Sequence, residues 1–468
     1  MIGRKSIAQY LVFDWIAATI VWLLFYAFRR VVNDMALFGD MPIFTPSFNF
    51  YLSMALYPIM ALGVHYLSGF YNRSRSRSRL LELFTTLITA LFISLLAYFS
   101  VMIDDVVTSY TFYYKSFLVL LVLQFSITYL FRLILTSRSY AHLRNGKNIV
   151  PVLVLGTGTM ARKVTFDLEH KLRKYGRSIV GYVQMDDEPL PVDLLVLGTM
   201  NQIDEIMENQ HIQSVIIAAD NVEEASLYAI INRLMKYDVD IQFPPRSFEI
   251  LTGRVRLHDI DSTPFVTLTQ PSMTAWQQAV KRVFDIVVSV FAIILFFPIM
   301  VYVAIRVKRD SAGPVFYKQE RVGKDGHAFK MFKFRTMYVG SEQNGPQLSS
   351  IDDERITPFG NIMRKYRLDE LPQFWNILKG EMSVVGPRPE RRYFINQIEE
   401  KAPYYCLIYK IQPGLLSWGP IKIGYSDTVD KMVERLNYDI IYMDNMTLLT
   451  DLKIMIYSLE VIVKGRGM

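Results

Sequence analysis

Four long apolar stretches fill the first third of the chain: Ile7 to Phe28, Phe48 to Phe70, Leu80 to Ile103, and about Tyr110 to Phe131. Each approaches the roughly 20 residues that a helix needs to cross the hydrocarbon core of a bilayer. The first carries Gln9 and Asp14, runs long and has no small-residue cleavage site before Arg29, so it reads as a retained anchor and not a signal peptide. Basic residues orient the spans. Arg4 and Lys5 precede the first, Arg73, Arg75, Arg77 and Arg79 separate the second and third, and Arg132, Arg138, Arg144 and Lys147 follow the fourth, which places those segments in the cytoplasm. Asp34, Asp40, Asp104 and Asp105 suit the outer loops, whereas Arg29 and Arg30 oppose the scheme. Asp14 lies within two turns of the cytoplasmic end, where a carboxylate in an apolar segment marks either an ion or substrate path or a paired or snorkelling structural group.

The middle third, about Ile149 to Leu251, changes period. Short apolar runs at Val152 to Leu155, Ile179 to Val183, Asp193 to Leu197, Val215 to Ala218 and Val239 to Phe243 alternate with helical patterns, notably Ile203 to Glu208 and Ala225 to Lys236. That alternation predicts a parallel sheet with crossover helices, a Rossmann-like domain over 145–255. Gly156, Gly158 and Ala161 match the small-residue turn that lets backbone approach a pyrophosphate at a helix N-terminus. The second strand ends at Val183-Gln184 without a ribose-binding carboxylate, and Asp186 and Asp187 fall in a loop. The turn therefore reads either as a nucleotide site or as tight strand-to-helix packing.

A fifth apolar segment, Val283 to Val307, follows a linker at 256–274. Its uncharged core from Ile286 to Ile305 would cover about 30 Å as a straight helix, enough to span. Lys281 and Arg282 at one end, with Arg306, Lys308 and Arg309 at the other, favour both ends on the cytoplasmic side. Pro298 removes a backbone donor and disfavours helical geometry at Phe297, so a bent, re-entrant helix is expected over a straight span.

With 468 residues, 51% of them hydrophobic and 20% charged, the chain is long enough for two to four units, and disorder, collagen and a disulfide scaffold are excluded. The single cysteine, Cys406, permits no internal disulfide, as suits domains facing a reducing cytoplasm. A net charge of +7 fits an anionic partner. Its basic residues follow membrane flanks and a short-motif region from Tyr317 onward, with no continuous stripe for nucleic acid. There, Phe329 to Thr336 reads as a strand whose period puts Lys333 and Arg335 on one face, either to grip a diphosphate or as a solvated edge. Arg364 to Gln373 holds the adjacent carboxylates Asp369 and Glu370 among basic residues. Such a pair suits a nucleophile toward phosphorus beside a Mg2+ ligand, although Asp-Glu pairs also decorate ordinary helix surfaces. Pro387 and Pro389 stiffen the turn that presents Arg388.

Four blocks in order, Lys333 to Met337, Leu368 to Gln373, Ser383 to Glu390 and Pro413-Gly414-Leu415, resemble the bacterial polyprenyl-phosphate sugar-1-phosphate transferases in their large form. The resemblance implies a four-helix transmembrane bundle over 1–144, the Rossmann-like domain, and a mainly α sugar transferase domain over 275–468 with a re-entrant helix at about 283–307 kinked at Pro298. It implies transfer of a sugar-1-phosphate from a UDP-sugar to undecaprenyl phosphate with release of UMP, at the start of capsule or exopolysaccharide synthesis. Asp369 is the implied nucleophile that carries the phosphosugar, Glu370 its partner toward Mg2+, and Lys333, Arg364 and Arg388, with Arg335 a lesser member, the phosphate-binding cations. Mg2+ would lie on Asp369 and Glu370. The implied setting is the bacterial inner membrane with soluble domains in the cytoplasm, in contact with membrane lipids and with a dimer surface available. Amphipathic segments such as Ile362 to Leu378, with Phe374 and Trp375, would lie along the interface or pack in the core. After Leu415 the chain reads Ser417-Trp418-Gly419-Pro420-Ile421-Lys422-Ile423-Gly424, a departure from the usual family pattern that leaves glucose or galactose as the default donor sugar. A membrane scaffold or nucleotide-sensing regulator acting through the middle domain is the alternative.

Overall fold

A computed structural model of the chain describes residues 2–38, 48–72, 79–101, 110–144, 149–174, 177–185, 194–220, 223–237, 239–244, 266–267, 273–341, 345–348, 353–424 and 428–463. Asp40, Arg73, Arg75, Arg77, Asp104, Asp105, Lys147, Asp186, Asp187 and most of the 256–274 linker lie outside the described residues. Two compact units emerge, one of Met1–Ile149, Lys174–Gly176 and Thr274–Val280, the other of Val150–Arg173, Arg177–Met273 and Lys281–Met468.

In the first unit the four apolar stretches are the helices α1 (Ile2–Phe38), α2 (Phe48–Leu67), α3 (Arg79–Val101) and α4 (Tyr110–Arg144). Val21, Trp22 and Phe25 of α1 meet Tyr57 and Ala61 of α2, Ile93 and Ala97 of α3, and Leu120 of α4, with Trp22 stacked on Tyr57 at 4.8 Å. Leu24, Leu56, Phe84 and Leu118 point outward, the inside-out polarity suited to hydrocarbon solvent. Arg132, expected in the flank after the fourth span, instead lies inside α4 and is fully buried. Its Nε and Nη2 donate to both oxygens of Asp14 at 3.0 and 2.7 Å, its Nη1 donates to Thr86 Oγ1 at 3.0 Å, and its guanidinium lies 3.7 Å from the Phe70 ring centroid. Tyr71 adds a hydroxyl to Asp14 at 2.8 Å. Asp14 is thus paired, tying α1 to α4 where an unpaired charge would be prohibitive.

In the second unit, strands β1 (Val150–Leu155), β2 (Arg177–Gln184), β3 (Val196–Thr199), β4 (Ser214–Ile217), β5 (Asp240–Phe243) and β6 (Val266–Thr267) form one sheet in the order 3-2-1-4-5-6. The first five are parallel, as expected, and this is the doubly wound order. The antiparallel edge strand β6 falls within the stretch read as linker. The intervening helices are α5 (Thr159–Lys174), α6 (Ile203–Asn209) and α7 (Glu224–Leu234).

Helix α8 (Ala275–Asp310) follows, 36 residues long and unbroken through Pro298. The expected departure of Phe297 from helical geometry does not occur; a proline costs one intrahelical bond and does not always end the helix. Five described helices, α8 among them, are long and apolar enough to cross a membrane.

Beyond it lie an antiparallel hairpin, β7 (Phe316–Val322) with β8 (Ala328–Phe334), and a parallel pair, β9 (Ser383–Val385) with β10 (Gly414–Leu416). Around them pack α9 (Pro358–Lys365), α10 (Gln373–Lys379), α11 (Arg392–Lys401), α12 (Trp418–Ile423), α13 (Val429–Asp444) and α14 (Leu448–Val463). This part is mainly helical and shares one core with the sheet. Ile230 and Ile231 of α7 and Leu153 of β1 belong to the same buried cluster as Ile395, Tyr405 and Leu436, and the Tyr228 and Tyr404 rings lie 5.5 Å apart.

Candidate functional site

The site grows from the end of β8. Lys333 is its penultimate residue, and its ammonium reaches Glu370 Oε1 at 3.2 Å and Asp369 Oδ2 at 3.9 Å. The two carboxylates occupy a 3-10 turn, Leu368–Glu370, entered through Arg367 in a left-handed conformation at φ 54°. A positive φ at arginine is strained, and it turns the chain so that Asp369 and Glu370, both 7% exposed, face inward. Arg367 Nη1 then reaches Glu370 Oε2 at 3.1 Å.

Asn376 locks this turn to the strand. Fully buried on α10, its carboxamide donates to Lys330 O at 2.8 Å and accepts from Phe332 N at 3.0 Å, imitating a neighbouring strand along β8. Helix α9 supplies Arg364. Thr357 caps it by accepting from Gly360 N at 3.0 Å, Pro358 occupies its first turn, and Gly360 lies so close to Thr336 O that a Cβ would stand 2.2 Å away. Arg364 in the last turn donates through Nε to Thr336 Oγ1 at 3.0 Å.

Arg388 enters from the third side. Gly386 and Gly414 bring two backbones together, Gly414 N donating to Pro387 O at 2.8 Å and Gly386 N to Leu416 O at 3.0 Å, and a Cβ on Gly414 would stand 2.1 Å from Gly386 N. Buried Asp439 accepts from Ser417 Oγ at 2.7 Å, from Gly419 N at 3.3 Å and from the backbone N–H of Arg388. The Arg388 guanidinium lies 3.4 Å from Glu370 Oε1. Behind it, Glu390 joins Arg321 at 3.1 Å and Arg435.

Lys333, Arg364, Arg367, Arg388, Asp369 and Glu370 line a cavity of about 580 Å³ whose walls carry eight basic side chains and three carboxylates, Asp369, Glu370 and Glu390. Burial would raise Glu370, but Lys333, Arg367 and Arg388 together hold its carboxyl well below the ordinary range. Burial, with Glu370 beside it, pushes Asp369 above that range against the pull of Lys333. Burial also draws the Lys333 ammonium down. One carboxylate is therefore a neutralised anchor and the other an undercompensated one. The arrangement can hold a diphosphate on forked cations and present a carboxylate oxygen to phosphorus.

Lys333, Arg364, Arg388, Asp369 and Glu370 are brought together. Arg335 lines the same cavity, but the strand ends at Phe334 and its Nη1 and Nη2 donate to Ala312 O and Ser311 O, both at 2.7 Å. It therefore braces the turn after α8 while lining the cavity that Lys333 also lines. Arg321, Arg367, Arg391 and Arg435 line the cavity without having been singled out from the sequence. For Arg321 a signal existed, since Tyr317, Gln319 and Arg321 alternate along β7 and all three line it.

The small-residue turn of the sheet has a different occupant. Asp220 accepts from Thr159 N and Thr159 Oγ1, both at 2.8 Å, and from Met160 N at 2.7 Å, so a carboxylate of the chain itself takes the place a pyrophosphate would have at the start of α5. Gly156, at φ +122°, is pressed against Ala218, where a Cβ would lie 2.6 Å from the carbonyl oxygen. Both features fit the packing reading of the turn.

Residues 276–465 match the family described as bacterial sugar transferase, and residues 66–245 match one described as CoA-binding domain. Among relatives, a UDP-N-acetylgalactosamine-undecaprenyl-phosphate N-acetylgalactosaminephosphotransferase of Aeromonas hydrophila is 38% identical over 47% of this chain and 51% of its own length. A UDP-glucose:undecaprenyl-phosphate glucose-1-phosphate transferase of Escherichia coli is 32% identical over 60% of each. A protein with the same description from Caulobacter vibrioides is 35% identical over 44% of this chain and 79% of its own length. The chain thus spans about half to three fifths of the first two relatives.

Proposed function

The chain belongs to the bacterial undecaprenyl-phosphate sugar-1-phosphate transferases, and we propose that it moves a sugar-1-phosphate from a UDP-sugar, glucose or galactose by default, to undecaprenyl phosphate with release of UMP. This is the first lipid-linked step of a capsule or exopolysaccharide pathway. The observation that carries the reading is the pairing of an undercompensated buried Asp369 with a cation-neutralised Glu370 in a cavity dominated by basic groups.

Arg364 and Arg388 take the diphosphate oxygens, and Lys333 holds both carboxylates beside them. An Asp369 oxygen attacks the sugar-bearing phosphorus, the bond to the bridging oxygen breaks, and UMP leaves with that oxygen. A phosphate oxygen of the lipid then attacks the same phosphorus and breaks the acyl-phosphate bond, which restores the carboxylate. Asp369 and Glu370 form a donor set that fits Mg2+, which is commonly held by one or two carboxylates plus substrate phosphates, and the raised proton affinity of Asp369 is what an added cation offsets. When bound, Mg2+ supplies positive charge to the diphosphate.

The same reading makes 1–144 a four-span transmembrane bundle, 145–255 a Rossmann-like domain, 256–274 a linker that lends β6 to that domain's sheet and 275–468 the transferase domain, with the soluble parts on the cytoplasmic face of the inner membrane. Helix α8, continuous through Pro298, is on this reading bent there so that it enters one leaflet and returns, because Lys281 and Arg282 precede its apolar run and Lys308 and Arg309 close it.

The test is UMP release by the purified chain in lipid with undecaprenyl phosphate and a panel of UDP-sugars. Asp369→Ala is expected to abolish turnover and the capture of radiolabelled sugar phosphate on protein while the melting transition persists. Full turnover by that variant refutes the nucleophile assignment.

A further inference from the structure

Helix α8 is nearly all apolar after its first turns, yet it carries a carboxylate, Asp285, that is 1% exposed, and a guanidinium one residue beyond Lys281. Each grips a different half of the site. Arg282 Nη1 donates to Ile377 O at 2.7 Å and its Nη2 to Leu378 O at 2.9 Å. Those are terminal carbonyls of α10, the helix that begins three residues after Glu370, so the cation sits at the negative end of the helix, taking Leu378 O and sharing Ile377 O with the capping Gly380 N–H at 3.0 Å. The chain then turns at Gly380 in a left-handed conformation, φ +84°, where a Cβ would stand 3.3 Å from the Arg282 guanidinium. Asp285 Oδ1 accepts from Val384 N at 3.0 Å, in the middle of β9 and four residues before Arg388. Lys281 Nζ donates to Val385 O at 2.9 Å in the same strand.

One turn of one helix therefore holds both the segment that bears Asp369 and Glu370 and the segment that bears Arg388. Neither Arg282 nor Asp285 touches the cavity, so neither is a ligand of the donor. We infer that Arg282 and Asp285 are positioning residues of the transfer reaction, setting the distance between the nucleophile segment and the Arg388 loop from the base of the apolar helix. The inference rests on the transfer reading above. It follows that a shift of this helix moves both segments together, and that cutting either tie lets one move without the other.

The test uses the full chain in lipid nanodiscs with UDP-glucose, UDP-galactose and their N-acetyl counterparts as probe donors and undecaprenyl phosphate as acceptor. UMP release gives kcat and KM, and hydrogen exchange over residues 368–388 is read on the same samples. Asp285→Asn keeps an acceptor oxygen and Arg282→Lys keeps a charge with fewer donors, so kcat should stay within about threefold and about tenfold of the parent, respectively. Asp285→Leu and Arg282→Met should lower kcat about 30- to 100-fold with KM for the donor within about threefold, because geometry and not affinity is lost. Exchange should quicken at Val384 in Asp285→Leu and at 378–380 in Arg282→Met. Parent-like kcat and exchange in both truncated variants overturns the inference. So does an equal loss in conservative and truncated variants that tracks the melting temperature, the mark of a general packing defect. A parent chain that releases no UMP from any UDP-sugar defeats the transfer reading instead, and the exchange arm still decides whether this turn holds the two segments.

Discussion

Replacing Lys333 by methionine keeps the length of the side chain and removes its charge. At 3.2 Å from Glu370 and 3.9 Å from Asp369, the ammonium interacts with the two carboxylates by about 5 and about 4 kcal/mol at an effective dielectric near 20. Those are gross values. Desolvation is the largest influence on Lys333 and opposes them, and Glu370 keeps Arg367 at 3.1 Å and Arg388 at 3.4 Å after the change. Asp369 keeps no cation so near. Breaking a buried ion pair from one side costs about 3–5 kcal/mol, and with Glu370 still neutralised the loss falls at or below the lower end, about 2–3 kcal/mol. If the charge acts on the transition state, kcat for UMP release drops about 30- to 150-fold. The direction with pH follows as well. Lys333 lowers the proton affinity of Asp369, so its removal raises that carboxyl further and moves the acid limb of the rate profile to higher pH. A Lys333→Met variant with kcat and kcat/KM within threefold of the parent, and an unmoved acid limb, would refute the placement of this charge in the chemistry.

Burial raises the Asp439 carboxyl from 3.8 to about 6, so the folded state holds its proton more tightly than the unfolded chain and loses stability as pH climbs from about 4 through about 6. The full gap is worth about 3 kcal/mol at neutral pH, and Asp439→Asn should flatten the melting temperature across that window relative to the parent. Asn376→Leu leaves Phe332 N–H and Lys330 O without their partner inside the protein, which should cost about 2–4 kcal/mol in chemical denaturation and lower turnover although no cavity group is changed. Asp220→Ala removes the cap of α5 and should cost about 1 kcal/mol, while coenzyme A or ADP added to the parent chain should leave its melting transition in place, because Asp220 already holds the Thr159 and Met160 amides.

Elements whose signal is local were legible in the sequence. The apolar runs became five long helices, and the strands β1, β2, β4 and β5 fall within about a residue or two of the runs that announced them. The adjacent carboxylates and the Pro-Arg-Pro turn stand where short-range chemistry put them. What escaped depends on distant partners. Arg132 reads as a flanking charge until Asp14, 118 residues away, closes on it. Asn376 reads as an ordinary polar residue of an amphipathic helix until the free edge of β8 at Lys330 and Phe332, 46 and 44 residues away in sequence, meets its carboxamide. Alternation placed Lys333 and Arg335 together, and both line the cavity, but Lys333 reaches the carboxylates whereas the Arg335 guanidinium is taken by the carbonyls of Ser311 and Ala312, which only the fold brings near.

Under the proposed reaction, the charge distribution around the two carboxylates favours Asp369 over Glu370 as the attacking group. Glu370 is shared by Lys333, Arg367 and Arg388, and Glu390 by Arg321 and Arg435, so two of the three carboxylates in the cavity each hold cations at contact distance. An incoming diphosphate competes for those cations. It can draw Arg388, the longest of the three contacts to Glu370, without leaving Glu370 bare, because Lys333 and Arg367 remain on its two oxygens. Asp369 has no comparable store of partners, and a carboxylate whose lone pairs are not tied up in short charge-assisted bonds is the better nucleophile. On the proposed reaction Glu370 would act as a buffer for positive charge, keeping the arginines folded inward before the donor arrives and yielding one of them when it does, while its neighbour keeps an oxygen for phosphorus.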